Sequence, residues 1–178
     1  MELFTGRGYE QTTVAEIAAR AGLTERTFFR YFADKREVLF SGSAMLQELL
    51  VSTVAAAPES AAPIEAVAEA VEAAGALLQE RRDYAKQRRD VIAANPELQE
   101  RELIKMATLA AAIAGALRDR GVLEPAASLT AEAGIAVFKV AFGIWLKGPD
   151  QADLPQIMRD SLNDLQAVVT EPAVTHRK

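Results

Sequence analysis

The chain has 178 residues, half of them hydrophobic, with a net charge of −5 and no cysteine. That length suits one or two compact units with a substantial core, and the missing cysteines exclude disulfides and thiolate metal sites. The single histidine, His176, lies in a polar tail, so neither a histidine-based catalytic site nor a zinc centre is expected. Charged side chains interrupt every apolar run before ~18 residues, so no membrane span is expected. The start lacks the basic-then-apolar layout of a leader peptide, which makes the chain read as cytoplasmic, with no membrane partner and no cofactor.

Helix formers dominate throughout and no alternating β-branched run is present, so the fold is expected to be all-α. Gly22, Pro58, Pro63, Pro96, Gly121, Gly148 and Pro155 punctuate the sequence into about eight helices. Residues 1–40 carry six basic groups (Arg7, Arg20, Arg26, Arg30, Lys35, Arg36) and six acidic ones (Glu2, Glu10, Glu16, Glu25, Asp34, Glu37). The first 40 residues are therefore neutral, and the remainder holds the whole negative charge.

Residues 13–32 read TVAEIAARAGLTERTFFRYF. Thr13-x-x-Glu16 is a capping box that starts one helix. Asp34-x-x-Glu37 is a related cap, Thr24 caps a helix starting at Glu25, and Asn95 with Pro96 opens a later one. Val14, Ile17, Ala18 and Ala21 form the inner face of the first of these helices. Gly22 can take positive φ at the turn, and Leu23 is placed to plug the angle between the helices. Phe28, Phe29 and Phe32 give the second helix an apolar side, leaving Glu25, Arg26, Thr27 and Arg30 outward. The pattern is a helix-turn-helix whose second helix would enter the major groove.

The run GYEQTTVAEIAARAGLTERTFFRYFADKREVL, Gly8 to Leu39, resembles the DNA-binding segment of the TetR/AcrR family. The resemblance implies a ligand-responsive repressor that binds a near-palindromic, double-stranded operator as a homodimer and is released by a small-molecule effector. It implies a helix-turn-helix DNA-binding domain over 1–40 and a helical ligand-binding and dimerisation domain over 41–178. Tyr31 and Lys35 match family positions that contact phosphate. The Thr13 hydroxyl, a cap first, can also touch phosphate, and Thr24 lies beside it in the candidate DNA-binding set. Arg26, Thr27 and Arg30 fall where base edges are reached, and Arg26 can fork onto guanine. The chain departs from the family at Phe29, where many members have Tyr, and before Gly8. There it has room for two turns of first helix, with few of the apolar residues that usually pack that helix and no basic arm. The alternative reading is a small-molecule-binding helical dimer whose shortened head no longer binds DNA.

Beyond residue 40 no catalytic constellation occurs, so the expected function there is binding and the chain is not expected to be an enzyme. Ala-rich helices over about 64–82, 86–94 and 97–120 leave room for a cavity, with Tyr84, Gln87, Arg88, Thr108 and Arg118 as candidate polar ligand-binding groups. The stretch 80–90 (ERRDYAKQRRD) reads as a solvated helix junction. Residues 130–147 (TAEAGIAVFKVAFGIWLK) are apolar nearly all round, so that helix must be covered on more than one side. Its stripe Ile135, Phe138, Phe142 and Trp145, joined by Ile157, Leu162 and Leu165 from the last helix, is the expected dimer interface. In the family that the chain resembles, such helices pair into a four-helix bundle.

Overall fold

A computed structural model describes residues 1–170. His176, on which the sequence reading placed the single imidazole, lies outside the described residues. Every regular element among the described residues is a helix: α1 (Glu2–Arg7), α2 (Val14–Arg20), α3 (Glu25–Tyr31), α4 (Arg36–Leu39), α5 (Ser43–Ala56), α6 (Pro63–Gln79), α7 (Arg82–Ala93), α8 (Pro96–Asp119), α9 (Ala126–Lys147) and α10 (Leu154–Thr170). The all-α expectation holds, with ten helices in place of about eight, because the head contains four short ones.

Packing divides the described residues into two compact units: Met1–Glu48 with Arg81–Thr108, and Leu49–Glu80 with residues 109–170. The sequence reading had assigned everything beyond residue 40 to the second domain. Residues 81–108 pack with the head through a shared core. Phe4, Tyr9, Leu39 and Phe40 share one core with Val91, Ile92 and Leu98, and Met1, Ile17 and Val38 pack at its edge. Burying side chains of this size stabilises by about 1.5–3 kcal/mol each. Phe4, tilted against Tyr9 with ring centroids 5.4 Å apart, thus supplies the packing that the sequence reading found missing from the first helix.

In the second unit, α6, α9 and α10 pack on one another. A Cβ on Gly134 would run into Val67 Cγ1, so the glycine lets α9 pack closely on α6. Trp145 is fully buried and its indole N–H donates to Ala152 O at 3.1 Å. The Gln79 amide stitches the turn before α10, donating to Ala152 O at 3.0 Å and accepting from Leu154 N at 2.8 Å.

The α9 helix also corrects an expectation. By length and composition it is apolar enough to cross a bilayer, although no such stretch was anticipated. Nine of its residues, including Ile135, Phe138 and Trp145, are buried inside the unit, which accounts for part of that apolarity. Asn95 does not cap α8 with its side chain. Its amide donates back to Val91 O at 2.6 Å, closing the end of α7.

Candidate nucleic-acid interface and ligand cavity

The turn between α2 and α3 is a Schellman closure. Leu23 N donates to Ala18 O at 2.8 Å and Gly22 N to Ala19 O at 3.1 Å, with Gly22 at φ +68°. The Thr13 capping box forms as its sequence predicts: Thr13 N donates to the Glu16 carboxylate at 2.9 Å, and Glu16 N donates to Thr13 Oγ1 at 3.3 Å. Thr24 Oγ1 accepts from Thr27 N at 3.2 Å and starts α3. Asp34 accepts from Arg36 N at 2.8 Å and Glu37 N at 3.3 Å and so opens α4. Both α2 and α3 are thereby fixed at their first turns by side chains that the sequence names.

Three placements in this motif differ from the sequence reading. Leu23 is not a plug; it is exposed, because the Schellman closure swings it outward, and Ala21 is exposed as well. Phe28 is buried and Phe32 packs 5.2 Å from it, as expected of an apolar side. Phe29, however, is 54% exposed, its edge set against Phe28. It lies three residues after Arg26, and Arg30 lies four after Arg26, so both flank Arg26 on its side of the helix. The signal was present in the sequence, but aromatic content outweighed position.

Charge is allocated unevenly over the head. Arg7 pairs with Glu16, Arg20 with Glu2, and Arg36 with Asp34. Lys35 does not project as a free cation. Its ammonium donates to the carbonyls of Tyr9 at 2.9 Å, Glu10 at 3.3 Å and Thr12 at 3.3 Å, and lies 4.2 Å from the centre of the Tyr9 ring. All three of its donors are spent on the loop before α2, so the phosphate role implied by the family resemblance would require breaking them. Arg26 and Arg30 of α3 remain. Arg30 donates to the Tyr31 hydroxyl oxygen at 2.9 Å. That leaves the hydroxyl proton of Tyr31, 66% exposed, available to a further acceptor. Arg26 and Arg30, four residues apart, thus share one face of α3, with Phe29 and Tyr31 exposed to either side.

Behind that face, α4 is clamped. The Glu37 carboxylate accepts from Arg101 Nε at 2.7 Å and from Lys105 Nζ at 3.1 Å. Arg88 donates to Leu39 O at 2.9 Å and to Glu102 at 2.8 Å while lying over the Phe40 ring. Burial alone pushes the Glu37 carboxyl up, but the hydrogen bonds from Arg101 and Lys105, with their charges, outweigh it and hold it below the usual 4.5. A carboxyl lowered on folding stabilises above its unfolded pKa and loses that contribution as pH falls through its folded value. Glu37→Gln should therefore cost about 1–3 kcal/mol at neutral pH. It should also flatten the loss of stability that the native protein shows on acidification below pH 4.5. Urea melts of both proteins at several pH values check this, and parallel acid profiles would refute the clamp.

The five candidate ligand-binding residues do not form one site. Arg88 belongs to the clamp just described. Tyr84 and Thr108 are exposed, with the Thr108 hydroxyl donating to Ile104 O at 2.9 Å. Gln87 lines a shallow groove of the first unit together with Phe4, Gly8 and Tyr9. Arg118, in the second unit, pairs with Glu124 at 2.8 Å. The larger cavity, about 540 Å³, lies in the second unit among α6, α9 and α10 and includes none of the five. Its apolar wall is Val71, Val137, Met158 and Leu162, and Glu65, Glu69, Glu72 and Arg159 stand among its polar groups. Of the Ala-rich helices over 64–82, 86–94 and 97–120, only the first lines this space; its other walls come from α9 (Gly134, Val137) and α10 (Met158, Leu162).

The dimer stripe also needs correcting. Ile135, Phe138 and Trp145 are buried within the single chain, so they hold the protomer together. Phe142, Ile157, Leu162 and Leu165 are half-buried. The large apolar side chains of α9 that are exposed are Leu129, Val140 and Ile144, with Val168 and Val169 on α10.

Residues 1–41 match the family described as "Bacterial regulatory proteins, tetR family", and residues 61–170 match the "MftR C-terminal domain". Over 73 residues the chain is 37% identical to the "HTH-type transcriptional regulator TcmR" of Streptomyces glaucescens, covering 41% of this chain and 32% of that protein. The chain thus spans about a third of the length of this curated relative. Among solved structures it is similar to FadR of Thermus thermophilus, a TetR-family transcriptional repressor in complex with lauroyl-CoA. That pair has a TM-score of 0.55 and 24% identity, over 100% of this chain and 95% of that one. A TetR-family transcriptional regulator from Mesorhizobium loti gives a TM-score of 0.58 at 19% identity, over 93% and 90%. At these identities the likeness is one of fold.

Proposed function

The chain belongs to the TetR family of bacterial transcriptional regulators, and from that premise we propose a cytoplasmic, ligand-responsive repressor. It binds a near-palindromic operator as a homodimer, and a small-molecule effector held in the second unit releases it. The observation that carries the DNA half of this reading is the α3 face: Arg26 has no side-chain partner among the described residues, and Phe29, Arg30 and Tyr31 are exposed beside it. Arg26 and Phe29 reach base edges, the latter through thymine methyl groups, while Tyr31 holds phosphate. Two such faces on one dimer fix the half-site spacing.

The effector half rests on the 540 Å³ cavity, which falls in the range of small-molecule sites. The solved FadR holds lauroyl-CoA, and a molecule with an apolar chain suits the Val137 and Leu162 wall here. Effector binding favours a dimer geometry that no longer matches the operator, a shift of population between two states.

Selecting bound sequences from random DNA tests the repressor reading: an enriched two-fold motif is expected, and enrichment of no sequence would leave the non-DNA-binding dimer in its place. On the selected operator, Arg26→Ala should cost about 1–3 kcal/mol per half-site and relax preference at one base pair only. A loss spread evenly over all operator variants would make Arg26 a phosphate contact and move base reading to Thr27 or Arg30.

A further inference from the structure

We propose that Glu25 is a second base-reading residue of α3, accepting from the exocyclic amine of a cytosine within one base pair of the guanine read by Arg26. The proposal rests on the DNA half of the reading above. Glu25 and Phe29 lie four residues apart, and Arg26 and Arg30 repeat that spacing one position on, so the four share one side of the helix. All four are exposed. Their polar groups are not equally free. Arg30 lies over the Tyr31 ring, 4.9 Å from its centre, and donates to the Tyr31 hydroxyl oxygen. The Thr27 hydroxyl, half-buried beside this face, stands 3.1 Å from Thr24 Oγ1, which also accepts from the Thr27 amide. Glu25 and Arg26 make no hydrogen bond or ion pair through their side chains among the described residues. They are therefore the polar side chains of the face left to meet bases, one an acceptor and the other a donor.

A carboxylate on this face approaches a polyanion. It gives up water and meets phosphate of like charge, so it opposes binding unless a group in the groove donates to it. The major groove offers two such donors, the cytosine N4 amine and the adenine N6 amine. Beside adenine N6 stands N7, an acceptor that repels the second carboxylate oxygen, whereas the cytosine amine adjoins only C5–H. The carboxylate thus selects cytosine and rejects the acceptor edges of guanine and thymine. Arg26, of opposite sign and one residue further on, demands an acceptor edge. Together the two side chains set opposite patterns, amine and acceptor, at neighbouring positions of each half-site.

Selection from random DNA with the full native chain, followed by titration of all four bases at each operator position, tests this against Glu25→Ala and Glu25→Gln. The native motif should contain a cytosine within one base pair of the guanine whose preference Arg26→Ala abolishes. Glu25→Ala should lower the preference for that cytosine by about fivefold or more and leave the other positions intact. Glu25→Gln should shift the same position toward adenine, whose N6 and N7 its amide can pair with together. A carboxylate that merely favours the start of α3 behaves differently: both variants would then lower the melting temperature and weaken binding to all sequences alike. An enriched two-fold motif without that cytosine, or one whose base preferences either variant keeps, overturns the inference and leaves the repressor reading standing. Enrichment of no sequence by the native chain is the failure of that reading, and the inference falls with it.

Discussion

Val140→Glu combined with Ile144→Glu is expected to yield a folded monomer that has lost operator binding, whereas Phe138→Glu is expected to fail at folding. The two outcomes separate what α9 does inside the protomer from what it does between protomers. Phe138 is 6% exposed and stacks on Phe142 at 5.8 Å. A carboxylate there would be buried without a partner, which costs several kcal/mol. Val140 and Ile144 are 58% and 51% exposed and lie four residues apart on the outer side of the same helix. Two glutamates there leave the protomer core untouched and set like charges against their symmetry copies in a two-fold interface. Loss of the second half-site removes its effective concentration and so weakens operator binding by about 10²-fold or more. Sedimentation, circular dichroism and fluorescence anisotropy on the same preparations read out mass, fold and affinity. A double variant that still sediments as a dimer would rule out the α9 outer face as the interface.

The reason Phe138 was first assigned to the interface bears on what a helical sequence discloses. Periodicity showed that the helix over 130–147 needs cover on more than one side, and α9 bears that out with nine buried residues. It could not say which side faces inward, because both are apolar. Gly134, which lets Val67 approach, and the Trp145 bond to Ala152 are tertiary facts that fix the rotation. The head was more legible because its signals are local. Thr13, Thr24 and Gly22 act within four residues of themselves, and the structure finds each cap and turn where its chemistry predicts. Phe29 failed for the opposite reason: its neighbour Phe28 already fills the space beneath α3, so a second aromatic on the next position has to face out. The ligand set failed because polar residues in a charged stretch have many partners available. Arg88 found Leu39 O and Glu102, and no pattern in residues 80–90 announces that choice.

Lys35→Ala is expected to lower the stability of the first unit by about 1–3 kcal/mol and to weaken operator binding about equally on every sequence, without changing the salt slope. The ammonium gathers the carbonyls of Tyr9, Glu10 and Thr12, three successive acceptors in the short loop that sets where α2 begins. It also lies over the Tyr9 ring, whose phenol is pushed up by burial, with the nearby Glu97 carboxylate adding to the shift. Without Lys35 those carbonyls must find water, the loop loosens, and α2 and α3 no longer meet the groove in one orientation. Affinity then falls through disorder of the free protein. A phosphate contact would behave differently. Its removal would release one counterion fewer per protomer and reduce the slope of log affinity against log salt by about 0.9 per site. Lys35→Met, which keeps the stem but removes the charge and the donors, should lose stability nearly as far as the alanine. Measuring urea melts and operator titrations at three salt concentrations for both variants decides between the roles. An unchanged melt with a shallower slope would return Lys35 to the phosphate backbone.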